Sequence, residues 1–172
     1  MKACKTPKSL KKGDVLYSFE GVSYTDGTSS VEAHEWIVRS IQKRDTYRSE
    51  CGLRLKSVMR KAVFVNLFSK KKDVTWVSGT WASYIPQDYQ LKFELGDELP
   101  EGVYTTPLKA INFAVKKWEA DVEEVKGEIA DAESESDAEL WADDLQRYSK
   151  ELKLLKGRQT RINNLRKKAA AA

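Results

Sequence analysis

"GEIADAESESDAELW", residues 127–141, carries six acids and no base and lies between two stretches of helical periodicity. Whether the chain turns back within it decides the fold. Upstream, apolar residues recur at Ile111, Val115, Trp118, Val122, Val125, Ile129 and Ala132 in alternating steps of four and three, a heptad seam. Downstream a second seam runs through Trp141, Leu145, Tyr148, Leu152, Leu155 and, past Gln159, Ile162. Extending the first seam without a break reaches Ser136, Glu139, Asp143 and Gln146, all polar. The second seam is offset from that phase by two residues, about 200° around an α-helix. One straight helix would therefore carry its apolar stripes on opposite sides.

A hairpin removes the conflict. Folded about Glu135, the chain sets Ile129 against Trp141, Val125 against Leu145, Val122 against Tyr148, Trp118 against Leu152 and Val115 against Leu155. Ser136 and Glu139 form an S-x-x-E capping box that suits the start of the second helix. Thr106 is a good N-cap for the first, and Pro107 fits the first helical position, where its missing N–H costs nothing. The sequence predicts an antiparallel coiled-coil hairpin with helices over 107–133 and 137–167, arms about 40 Å long at 1.5 Å per residue. Its rival is a coiled-coil dimer that uses the same seams between chains. The register also sets Asp121 near Glu151 and Glu128 near Asp144, like charges beside the seam.

Upstream of residue 105 the period is two. Residues 12–104 read as a β-rich module, either an SH3-like barrel or a bent antiparallel sheet. "KKGDVLYSFEGV" opens it with a turn, and "HEWIVRSIQKR" puts Trp36 and Val38 on one face and Ile37 and Ile41 on the other. "AVFVNLF" (62–68) and "DVTWVSGTWASYI" (73–85) are rich in β-branched and aromatic residues. Trp36, Trp76, Trp81 and Tyr84 are expected in its core. Residues 45–61 show no clear period and read as a basic loop or a short helix. The expected organisation is an α+β chain: a basic arm (1–11), the β module (12–104), the hairpin (105–168) with its acidic tip (128–144), and an alanine tail (169–172).

Charge is segregated along this plan. Residues 1–117 carry a net +7, 118–144 a net −11 and 145–172 a net +8, so the overall +4 averages out a strong pattern. The acids at the C-terminal end of the first helix oppose its dipole, so the tip is not arranged for the hairpin's own stability. Glu128, Asp131, Glu133, Glu135, Asp137 and Glu139 are the candidate contacts for a basic protein surface. Three basic clusters are the candidate contacts for nucleic acid: Arg54, Lys56, Arg60 and Lys61; Lys70, Lys71 and Lys72; and Arg158, Arg161, Arg166 and Lys167.

Catalysis has little support. His34 is the single histidine, Cys4 and Cys51 are distant from it, and neither metal-ligand spacing nor a phosphate-binding glycine loop is present. No cofactor, metal or catalytic residue is expected. No apolar run reaches the roughly 18 residues of a membrane span. The basic N-terminus lacks the apolar stretch of a secretory signal, so a cytoplasmic protein with two free thiols is expected. The functional expectation is a non-enzymatic binding protein whose β module and basic C-terminal helix contact nucleic acid while the tip engages a protein. The alternative is a protein-directed inhibitor or adaptor with no nucleic-acid role, its tip imitating a nucleic-acid backbone, of the kind used by bacterial viruses in host takeover or anti-defence.

Overall fold

A computed structural model describes residues 9–49, 57–69, 89–96 and 98–171. It is mixed α+β, with an N-terminal antiparallel half-barrel sheet of four strands followed by two helices. The strands β1 (Val15–Ser23), β2 (Ser29–Ser49), β3 (Ser57–Ser69) and β4 (Gln90–Glu94) lie in sequence order across the sheet. The helices are α1 (Pro107–Ala130) and α2 (Glu135–Ala171). The chain divides into two compact units, Met1–Leu16 with His34–Thr105 and Tyr17–Ala33 with Thr106–Ala172.

The first unit is built on β-alternation. Trp36 and Val38 of β2, Val65 and Leu67 of β3 and Phe93 of β4 point to one side and bury there with Leu16, Leu99 and Val103. Ile41, expected on the opposite face, is instead the direct partner of Val65 and takes the same face as that residue, where it is 37% exposed. A bulge between Val38 and Ser40 shifts the β2–β3 register, and beyond it the Asn66 amide donates to the Ser40 hydroxyl over 2.8 Å. The described residues of the 45–61 stretch depart from the expected loop or helix. Asp45–Ser49 continue β2 and Ser57–Lys61 begin β3, paired from Asp45 with Lys61 to Ser49 with Ser57. Main-chain hydrogen bonds carry the ladder outward there, and such pairing leaves no apolar alternation for the sequence to display. Residues 73–85, with Trp76, Trp81 and Tyr84, lie outside the described residues.

The second unit is a helical hairpin with a β-hairpin. Thr106 caps α1, its hydroxyl accepting from the Lys109 N–H at 3.4 Å, and Pro107 takes the first helical position. Ile111, Val115, Trp118, Val122 and Val125 are buried along α1. Ile111, Ala114, Val115, Trp118 and Leu155 form the core, with Tyr148, Leu152 and Ile162 of α2 packed against it. Gln159 Nε2 donates to Asn112 Oδ1 at 2.8 Å and Lys156 pairs with Glu119 at 2.8 Å, so the helices run antiparallel in a register centred close to Glu135.

Two details of the turn differ from expectation. The helices end and begin at Ala130 and Glu135, and the N-cap is Ser134 rather than Ser136. The Ser134 hydroxyl accepts from the Asp137 N–H at 3.1 Å and donates to the Asp137 carboxylate at 2.7 Å. The Ser134 hydroxyl satisfies the free Asp137 N–H two residues earlier than the expected box, and the turn shifts towards α1, spanning 131–134.

Tyr17–Ser23 and Ser29–Ala33, joined by a tight turn, complete this unit. The Tyr24 carbonyl accepts from the Gly27 N–H at 3.0 Å, and the Tyr24 N–H donates to the Thr28 carbonyl at 2.8 Å. Gly27 closes the turn with φ of 78°, the left-handed region a three-residue hairpin loop requires. Asp26 accepts from the Thr28 hydroxyl and N–H. The hydroxyl bond is the larger cause, and together they hold the Asp26 carboxyl below its ordinary range.

Candidate polyanion groove

The β-hairpin approaches the helices through Gly21. A Cβ on Gly21 would lie 2.8 Å from Glu151 Cβ and 3.0 Å from Trp118 Nε1, so no other residue fits without displacement. Beneath it lies a buried polar chain. Trp118 Nε1 donates to Glu151 Oε2 at 2.7 Å, the Ser23 hydroxyl donates to Glu151 Oε1 at 2.6 Å, and Ser23 and Ser29 hydroxyls are 2.9 Å apart. Ser23 spends its proton on Glu151, so Ser29 is the donor in that last bond. A carboxylate this deep is tolerable because both oxygens are occupied. Glu151 faces inward beneath β1, and the charges that act on Asp121 are those of Lys117 and Glu124.

Ser29 joins this chain to an open groove. A cavity of about 660 Å³ lies between the β-hairpin and α2. Gly27, Ser29 and Val31 form one wall; Lys150, Lys153, Leu154, Gly157, Arg158 and Arg161 form the other. Helical spacing explains the second wall, since positions 150, 154, 157 and 161 share one face at steps of three and four. Gly157 leaves that face open, because a Cβ there would meet nothing within 4 Å. The four cations are exposed, and none forms an ion pair among the described residues. Among the described residues no acid lines the groove, and its apolar part is aliphatic, Val31 and Leu154, without an aromatic ring on which a base would stack.

The groove gathers two of the sequence-derived basic candidates, Arg158 and Arg161. Arg166 and Lys167 lie further along α2, exposed and outside the lining. Arg60 and Lys61 lie in β3, opposite Thr46 and Asp45. Arg54, Lys56, Lys70, Lys71 and Lys72 lie outside the described residues. Lys150 and Lys153 are new. Their signal was their spacing with Arg158 and Arg161 on α2, but the hairpin that makes the second wall leaves no trace in the local sequence.

The acidic candidates sit at the other end of α2. Asp131, Glu133, Glu135, Asp137 and Glu139 are exposed around the turn, and Asp137 is engaged by Ser134. Glu128 lines a smaller cavity of about 300 Å³ with Asp121, Glu124, Val125, Trp141 and Tyr148. Burial there pushes the Asp121 carboxyl up; nearby Lys117 opposes the shift and Glu124 adds to it.

Among the described residues no helix is long and apolar enough to cross a membrane. Comparison with protein-family models, with curated proteins and with solved structures gave no match.

Proposed function

We propose that this chain is a non-enzymatic binding protein that holds an anionic polymer, nucleic acid foremost, in the groove between its β-hairpin and α2. One observation carries the reading: Lys150, Lys153, Arg158 and Arg161 face a single groove with no acid among the described residues of its lining. Cations so placed exchange condensed counterions for phosphates, which gives sequence-independent affinity. The aliphatic floor favours contact with the backbone over base stacking. The decisive experiment is fluorescence anisotropy with labelled single- and double-stranded oligonucleotides at low salt. Binding that disappears when the four cations become Ala supports the proposal, and its absence in the wild-type protein refutes it.

The second half of the reading concerns the turn. Its exposed acids, together with Leu140, which is 63% exposed on the first turns of α2, suit the capture of a basic surface bearing an apolar spot. A protein-directed inhibitor or adaptor without nucleic-acid affinity is favoured by the same feature if the anisotropy experiment is negative.

A further inference from the structure

The hydrogen-bond chain beneath Gly21 has a direction, and that direction reaches the groove. An indole N–H can only donate, so Glu151 Oε2 accepts from Trp118 at 2.7 Å. The Ser23 hydroxyl gives its proton to Glu151 Oε1 at 2.6 Å, the length of a hydroxyl bonded to a carboxylate. A hydroxyl has one proton to give, so Ser23 meets Ser29, 2.9 Å away, only as an acceptor. Ser29 in turn spends its own proton inward. Among the described residues its side chain makes no other hydrogen bond, and it lines the groove. Towards the groove Ser29 therefore offers lone pairs and no donor.

The two walls thus call for different chemistry. Lys150, Lys153, Arg158 and Arg161 on α2 donate and attract anions. Ser29, on the hairpin wall, repels a phosphate oxygen, which is also an acceptor, and is matched by a hydroxyl or an N–H. A ligand that satisfies both walls carries an anion and a neutral donor side by side. In nucleic acid the ribose 2′-hydroxyl meets that condition on the backbone itself, once per nucleotide and near every phosphate. Base N–H groups are the other donors, but the described lining holds no ring on which a base could be fixed. A deoxyribose has no donor there and leaves the Ser29 lone pairs facing carbon.

We infer that the groove selects RNA over DNA, Ser29 accepting from a ribose 2′-hydroxyl while the cations of α2 hold the neighbouring phosphates. Glu151 is the positioning residue behind this choice. It touches no ligand, yet its carboxylate sets the polarity of the chain that Ser29 ends. Selection of this kind rests on the groove binding a nucleic-acid backbone, as proposed above, and adds the sugar which that backbone carries.

Fluorescence anisotropy of the full chain with short labelled oligouridines tests it, the sugars being ribose, 2′-deoxyribose and 2′-fluororibose. The 2′-fluoro sugar keeps the ribose pucker but has no proton to give, so it separates hydrogen bonding from backbone shape. The wild type should bind the ribose strand about three- to tenfold more tightly than either of the others, the worth of one net hydrogen bond. Ser29→Ala removes the acceptor and should bring the ribose strand down to the deoxyribose level. Glu151→Gln reverses the chain: its amide donates to Ser23, Ser23 passes its proton to Ser29, and Ser29 then presents a donor to the groove. The ribose preference should vanish while the deoxyribose strand binds at least as tightly as to the wild type, a combination that simple damage to the groove would not give. Circular dichroism checks that both variants fold, and Ser29→Ala carries the test alone if Glu151→Gln does not. A ribose preference that survives Ser29→Ala, or a 2′-fluoro strand that binds like ribose, overturns the inference. Equal affinity for ribose and deoxyribose strands, lost when the four cations become Ala, also overturns it and leaves the polyanion reading standing. Binding to none of the strands overturns both.

Discussion

Trp118 on α1 donates its indole N–H to Oε2 of Glu151 on α2 across 2.7 Å, and the receiving carboxylate is only 4% exposed. With Ser23 on the other oxygen, this buried group ties both helices and the β-hairpin together. Removing one partner strands the rest. Glu151→Leu leaves the Trp118 N–H and the Ser23 hydroxyl without their acceptor and should cost about 1–3 kcal/mol. Glu151→Gln should cost much less, because its oxygen still accepts from Trp118 while Ser23 redirects its proton to Ser29. Urea denaturation of the two variants separates them. Equal losses would show that the geometry of the carboxylate, not its acceptors, matters.

Gly21 supplies the close approach that makes this network possible. Gly21→Ala sets a methyl 2.8 Å from Glu151 Cβ on a helix that cannot swing away freely, and overpacking of this kind costs about 1–3 kcal/mol. Gly127→Ala is the control: the added Cβ meets nothing within 4 Å, and replacing a helix-interior glycine should gain about 0.5–1 kcal/mol. Thermal denaturation should move in opposite directions for the two.

These two residues show where sequence reading reaches and where it stops. Ile111, Val115, Trp118 and Leu155 were legible as core because helical packing writes a local period into the chain, and the offset between the two seams required the reversal. Thr106 and Pro107 were legible for the same local reason. Glu151 was not. Its neighbours on α2 make it look like one more exposed acid, and what buries it is a β-hairpin more than a hundred residues upstream. Gly21 held the only clue, an isolated glycine in a strand pattern, which signals a close backbone neighbour without saying which. The groove is half legible on the same terms. Arg158 and Arg161 belong to a visible basic helix, whereas Ser29 and Val31 arrive through tertiary packing alone.

The turn is held by Ser134, whose hydroxyl both accepts from and donates to Asp137. Ser134→Ala should destabilise the unit by about 1 kcal/mol, while Ser136→Ala, at the position the capping pattern first suggests, should be within about 0.5 kcal/mol of wild type. Backbone amide exchange at Asp137 and Ala138 is the direct readout. Faster exchange in Ser136→Ala than in Ser134→Ala would move the cap back to Ser136.

Asp121 gives a pH dependence whose sign is fixed by its surroundings. Burial raises its folded-state pKa above the ordinary 3.8, Lys117 only partly opposing. The ionised form is therefore the less favourable one in the fold, and the penalty is present above the folded pKa and disappears as pH falls through it. Asp121→Asn should stabilise the protein slightly at neutral pH, with the difference from wild type vanishing below about pH 4. Most of the side chain remains solvated, so the effect is small. A destabilised Asn variant at neutral pH would show that Lys117 outweighs burial.

The groove makes a quantitative claim about salt. If Lys150, Lys153, Arg158 and Arg161 all meet phosphates, log affinity for duplex should fall against log salt with a slope of about −3.6, and about −2.8 for a single strand. Lys150→Ala with Lys153→Ala should halve the slope. Arg166→Ala with Lys167→Ala, beyond the lining, should leave it nearly unchanged. Because the described lining holds no aromatic ring, affinities for homopolymers of different base should agree within a few-fold at equal length. Strong preference for one base, or a slope set by Arg166 and Lys167 instead, would place the contact outside the groove between Val31 and Leu154.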